Sequence, residues 1–214
     1  MPAPLTAIRF HRPMSVRRTG PCLLGCVSDD GGEIEVVVKF SAGCEMKNFG
    51  SRKLPPGFAT IPKERPIPHG LRGAAMEILA FDTFIANPDR TVDNPNCQSN
   101  GREFAIFDHE LAFFMDGILG WKPPWERSGV QFPKGLPPKV RHVFLEELRG
   151  QEVDLSRLMG AFEAISPARL TEYRAALPPT WVGDGARVDQ VLQYIEALQA
   201  NAKKAIQHFT ETLR

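Results

Sequence analysis

Four side chains in this 214-residue sequence could share one chemistry: Lys39, Asp89, Asn94 and Asp108. Lys39 ends the apolar run Val36-Val37-Val38, Asp89 and Asn94 form a D-x-x-x-x-N pattern inside NPDRTVDN, and Asp108 follows Phe104-Ala105-Ile106-Phe107. Phosphoryl transfer uses such parts: a cation on the donor's phosphates, a carboxylate near the attacking hydroxyl, and hard oxygen ligands for magnesium. Val37 shares the face of Lys39, where it could roof an adenine, and Arg90 could offset charge near the phosphates. Each group also has an ordinary reading. Lys39 could be a strand-end lysine in water, Asp89 and Asn94 a side-chain-capped turn, and Asp108 a helix cap or turn residue before Leu111. The order of a strand lysine, a helix, a polar loop, a short hairpin and a strand-end aspartate favours function over coincidence.

These groups need elements to hold them. CLLGCVS and EIEVVVKF flank Asp29-Asp30-Gly31-Gly32 and read as a β-hairpin. In its second strand Ile34, Val36, Val38 and Phe40 share one face, and Glu35, Val37 and Lys39 the other. The proline-dense stretch Leu54 to Pro68 reads as an irregular connection. A helix is expected from about Leu71 to Ile85, with Asp82 as a polar intruder on its apolar face and Asn87-Pro88 as its stop. A second hairpin is expected from Asn96 to Phe107, turning at Ser99-Asn100-Gly101. Helices follow over Pro138–Leu148, Leu155–Ile165 and Ala168–Leu177, the last started by Ser166-Pro167. A long amphipathic helix closes the chain from about Ala186 to Leu213. Strands first and helices after make an α+β order.

Composition narrows the function classes. With 43% hydrophobic residues and a formal charge of +1, the chain suits one soluble domain or one domain of two lobes. Near-neutral charge gives no support for direct nucleic-acid binding. No apolar run approaches the roughly 20 residues that cross a bilayer, so no membrane partner is expected. Cys22, Cys26, Cys44 and Cys97 show no metal spacing, and MPAPLTAIRFHRP lacks a secretory apolar core. Reduced thiols and a cytoplasmic location are the expectation.

FDTFIANPDRTVDNPN followed by FAIFDHELAFF resembles the HipA-like kinases, in particular the compact stand-alone group. EVVVKFSAGCE, FGSRKLPPG and LPPTW add to the resemblance, which runs from about Cys22 to the C-terminus. It implies a protein-kinase-like two-lobed fold, with a small β lobe over residues 1–54 and a mainly helical lobe over 55–214. It implies that Asp89 is the catalytic base, that Asn94 and Asp108 are magnesium ligands, and that Lys39 binds phosphate. The stretch Gly50 to Leu54, with Arg52, Lys53 and Leu54, would be the hinge strand against adenine. His109 would brace Asp108, or be a partly buried histidine bonded to backbone. Asn96 would assist the loop, or be a turn asparagine.

The sequence departs from the kinase pattern in two places. Kinase lysines are usually held by a glutamate from a helix before the hinge. Ser41 to Phe49 is too short for that helix, and Glu45 is its only acid, so a shortened β lobe without that helix is expected. There is also no full G-x-G-x-x-G. The expected function is an ATP- and magnesium-dependent protein Ser/Thr kinase, its own chain included among the acceptors, with a protein substrate or an antitoxin-like partner of a toxin–antitoxin kind. The alternative is a nucleotide-binding pseudokinase or protein-interaction module without turnover.

Overall fold

The computed structural model describes residues 54–61, 66–113, 115–177, 179 and 185–214, together with the backbones of five short strands, at residues 8–10, 14–16, 25–28, 34–37 and 48–50. Those strands are β1 (Ile8–Phe10), β2 (Met14–Val16), β3 (Gly25–Ser28), β4 (Ile34–Val37) and β5 (Asn48–Gly50). β3 and β4 pair antiparallel with Ser28 opposite Ile34, so the first expected hairpin forms. β2 pairs antiparallel with β5. Lys39, Glu45, Arg52 and Lys53 lie outside the described residues, as does the side chain of Val37. The expected helix gap before the hinge lies there too.

The protein is mixed α+β, as the element order suggested. One sheet runs β1-β8-β7-β6, where β6 is Ala59–Thr60, β7 Cys97–Ser99 and β8 Phe104–Ile106. β7 and β8 are the second hairpin, with Ser99 opposite Phe104. Its turn is tied by side chains: Asn100 Oδ1 accepts from the N–H groups of Arg102 and Glu103, and Gly101 takes φ 82°. β6 corrects the expectation of an irregular connection. Ala59 and Thr60 fall between Pro56 and Pro62, so both keep the N–H groups that an edge strand can use, and they pair with Ser99 and Gln98. β1 runs parallel to β8, so the strand pairing crosses the boundary placed after residue 54.

Helix α1 (Arg72–Phe84) lies at the centre of the core. Ala74, Ala75, Met76, Ile78, Leu79, Ala80 and Phe84 are all buried, which makes the helix apolar nearly all round. The Phe84 ring meets Phe162 and Phe209 at 6.0 and 5.8 Å, and each such buried ring contributes about 1.5–3 kcal/mol. Phe209 belongs to α6 (Ala202–Leu213), whose Ala202, Ala205, Phe209 and Leu213 form a buried stripe at helical spacing. The expected single C-terminal helix is in fact two, α5 (Ala186–Ala200) and α6, broken where Asn201 leaves helical geometry and its side-chain amide donates to Ala197 O. α3 (Ser156–Glu163) and α4 (Pro167–Ala176) lie close to their expected places, with Ser166 Oγ capping Arg169 N–H. No described helix is long and apolar enough to cross a membrane.

The expected helix over Pro138–Leu148 is replaced by a tight turn at Pro138–Val140, an extended strap, and a single turn of helix, α2 (Leu145–Leu148). This stretch, turn included, gives part of its backbone to a neighbour. Lys139 O and Arg141 O accept from Asp93 N–H and Val92 N–H, and Val143 N–H donates to Arg90 O. That neighbour is the NPDRTVDN loop.

Candidate functional site

The loop begins where α1 stops. Ala86 takes φ 51°, in the left-handed region, and Asn87 N–H reaches back to Asp82 O at 2.9 Å. This αL helix ending usually uses glycine, and here it turns the chain sharply toward Asp89. Asn87 then links both sides of the corner. Its Nδ2 donates to Asp82 Oδ1 at 2.8 Å, and its Oδ1 accepts from Asp89 N–H at 3.2 Å.

Arg90 is the knot of the site. Its side chain is fully buried, and its Nε donates to Asp82 Oδ2 at 2.6 Å. One terminal nitrogen donates to Asn96 O and, at 3.4 Å, to Phe107 O; the other contacts His109 Nε2 at 2.9 Å. Guanidinium can only donate, so His109 Nε2 accepts and its ring proton sits on Nδ1. The sequence expectation for Arg90 is a charge offset near the phosphates; in the structure its side chain bonds to protein groups. Its charge is answered inside the protein, and its bonds tie the loop to α1 and to the end of β8.

Around that knot the loop presents three side chains together. Asp89 Oδ2 accepts from Asn94 Nδ2 at 2.8 Å and from Asn96 Nδ2 at 2.9 Å. A carboxylate offers only lone pairs, which fixes the amides with nitrogen inward and directs Asn94 Oδ1 away from Asp89. Thr91 closes the turn: its N–H donates to Asp89 O and Asn94 O, and its Oγ1 accepts from Asn94 N–H. Asn94 is exposed, Asp89 half-buried and Asn96 buried.

Asp108 enters from the other side. It is exposed, with φ 55°, a left-handed conformation that aspartate adopts more readily than most residues. Phe107 N–H donates to Asn96 O at 3.1 Å, so the residue before Asp108 is bonded directly to the Asp89 loop. His109 sets its ring edge-on to Phe81 at 6.0 Å and braces the segment through Arg90. Leu54 is a half-buried residue in the coil before β6. Among the described residues no cluster of three or more His, Cys, Asp or Glu could hold a metal ion; any set here would include the Asn94 amide oxygen.

Electrostatics follow from burial. Desolvation alone would raise the Asp82 carboxyl, but the hydrogen bonds from His142 and Arg90 and the charge of Arg90 hold it down at about 2. His142 Nδ1 accepts from Phe144 N–H, leaving Nε2 to donate to Asp82 Oδ2 at 3.1 Å. Burial pushes the Cys97 thiol up to about 12, which makes it an inert core group. Burial, then the charge of Arg90, lowers His109. A depressed carboxyl stabilises the fold fully above its unfolded value of 3.8, and that stabilisation is lost as pH falls toward 2. For Asp82 it amounts to about 2 kcal/mol. Urea unfolding between about pH 5 and about pH 2 is expected to show this loss, and Asp82→Asn is expected to flatten that part of the profile. An unchanged slope in the variant would refute the assignment.

The structure thus brings Asp89 and Asn94 together and ties the segment of Asp108 to their loop. Sequence reasoning gave Asp82 and Asn87 no part in the site and did not single out His142. Asp82 carried a signal, since an acid on the buried face of a helix needs a partner. A groove of about 520 Å³ between residues 127–133 and α6, lined in part by Val130, Phe132, His208 and Glu211, shares no residue with this site. No family model, curated protein or solved structure matches the chain.

Proposed function

We propose that the chain is an ATP- and magnesium-dependent phosphotransferase of HipA-like type, with a two-lobed kinase-like fold, acting on a Ser or Thr hydroxyl of a protein, its own included. One observation carries the reading. The Asp89 carboxylate is held by Asn94 and Asn96 on a loop that Arg90 locks to the strand end preceding Asp108. The donor set fits magnesium, a hard cation that takes carboxylate and amide oxygens: Asn94 Oδ1 is turned away from Asp89, and both Asn94 and Asp108 are exposed. Bound there, the ion would supply charge neutralisation for the phosphates. Asn94 and Asp108 would hold it, while Asp89 would orient the acceptor hydroxyl and take its proton. Lys39 would meet the phosphates, Val37 the adenine, and Arg52, Lys53 and Leu54 the hinge side of the nucleotide, as the resemblance implies. A cytoplasmic setting and an antitoxin-like partner belong to the same reading.

Labelled ATP with magnesium tests it. Label is expected to pass to protein, and Asp108→Asn is expected to remove most of the transfer. A melting shift with ATP and magnesium but no label would instead favour the nucleotide-binding module without turnover. No shift at millimolar ATP would discard nucleotide binding altogether.

A further inference from the structure

We infer that Asn96 is a positioning residue for Asp89, setting which carboxylate oxygen meets the acceptor hydroxyl. The inference rests on the phosphotransferase reading. Both amides that grip Asp89 converge on the same atom, Oδ2, at 2.8 Å from Asn94 and 2.9 Å from Asn96. Oδ1 accepts from neither, so it is the oxygen left for an incoming proton.

The two amides are not equivalent. Asn94 is exposed and has a second task, since its Oδ1 is the candidate magnesium ligand. Asn96 is 8% exposed and is fixed from three directions. Its carbonyl accepts from Phe107 N–H and from Arg90, and its side chain donates to Asp89. Its φ of 42° is left-handed, a region that asparagine tolerates better than most side chains. That conformation lets one residue serve the strand end with its backbone and the carboxylate with its amide. A grip by Asn94 alone would leave Asp89 free to turn whenever Asn94 adjusts to a metal; Asn96 keeps the aim independent of metal occupancy.

The test compares three variants. Asn96→Gly accepts the left-handed backbone without strain and removes the side chain that carries the amide. Asn96→Asp keeps the size but cannot donate in its ionised form. Asn96→Ala removes the amide and also strains the backbone. In Asn96→Gly, kcat for transfer is expected to fall about 100-fold, the scale of a mis-aimed reacting group, with the KM for ATP and the ATP–magnesium melting shift as in wild type. Asn96→Asp is expected to lose at least as much, because size alone does not restore aim. A kcat within twofold of wild type in Asn96→Gly overturns the inference, and so does a parallel change in kcat, KM and melting shift. If the wild-type chain itself transfers no phosphate, the phosphotransferase reading fails separately. The grip is then read by NMR: the Asn96 side-chain amide protons should be slow to exchange and should lose that protection in Asp89→Ala. Unchanged protection there overturns the contact itself.

Discussion

Asp82→Ala is expected to lower the unfolding free energy by about 3–5 kcal/mol, read from urea denaturation at neutral pH. The residue is a buried carboxylate that receives Arg90 Nε, Asn87 Nδ2 and His142. Removing it strands a guanidinium that is itself fully buried, and an unpaired buried charge costs far more than the pair contributes. A domain stable by about 5–15 kcal/mol has little margin for such a loss. The pair should also show strong coupling. Asp82→Leu combined with Arg90→Met is expected to cost less than the two single replacements added together, because the double variant leaves no isolated charge. A loss below about 1 kcal/mol in Asp82→Ala would show that Arg90 finds another partner.

Asp89→Asn is expected to reduce phosphate transfer by about 10²–10⁴-fold, the range of a lost general base. The substitution suits this loop. An asparagine oxygen at the position of Oδ2 still accepts from Asn94 and Asn96, so the turn keeps its hydrogen bonds and loses only the charge and the proton acceptor. Stability should therefore change little, and the melting shift with ATP and magnesium should persist. Asp89→Ala is the contrast: it frees both amides and should loosen the loop as well as stop the chemistry. Transfer that survives Asp89→Asn unchanged would remove Asp89 from the mechanism.

The sequence revealed the elements better than it revealed their couplings. Both hairpins, α1 and the helices near residues 156 and 167 follow from period and turn chemistry, which are local properties. Asp89 and Asn94 stood out for the same reason, since their spacing lies within one turn. Arg90 was read from its neighbours in sequence, as a charge beside a phosphate site. Its real partners are Asp82, Asn96 and His109, and only the fold places them around it. The region around Arg141 failed as a helix because its carbonyls bond to Val92 and Asp93, a tertiary contact that no local propensity records. Leu145 to Leu148 kept its helical pattern, with Leu148 N–H donating to Phe144 O and Arg149 N–H to Leu145 O.

That strap carries one more implication. Its bonds to the loop, from Lys139 O, Arg141 O and Val143 N–H, all belong to the main chain. Main-chain bonds do not depend on which residue supplies them, so drift in the exposed side chains of Lys139 and Val140 leaves the bonding intact. Length is different. Deleting one residue would put each carbonyl out of step with its amide and turn the inward histidine toward solvent. Natural variation in this stretch should therefore be free in spelling and strict in count.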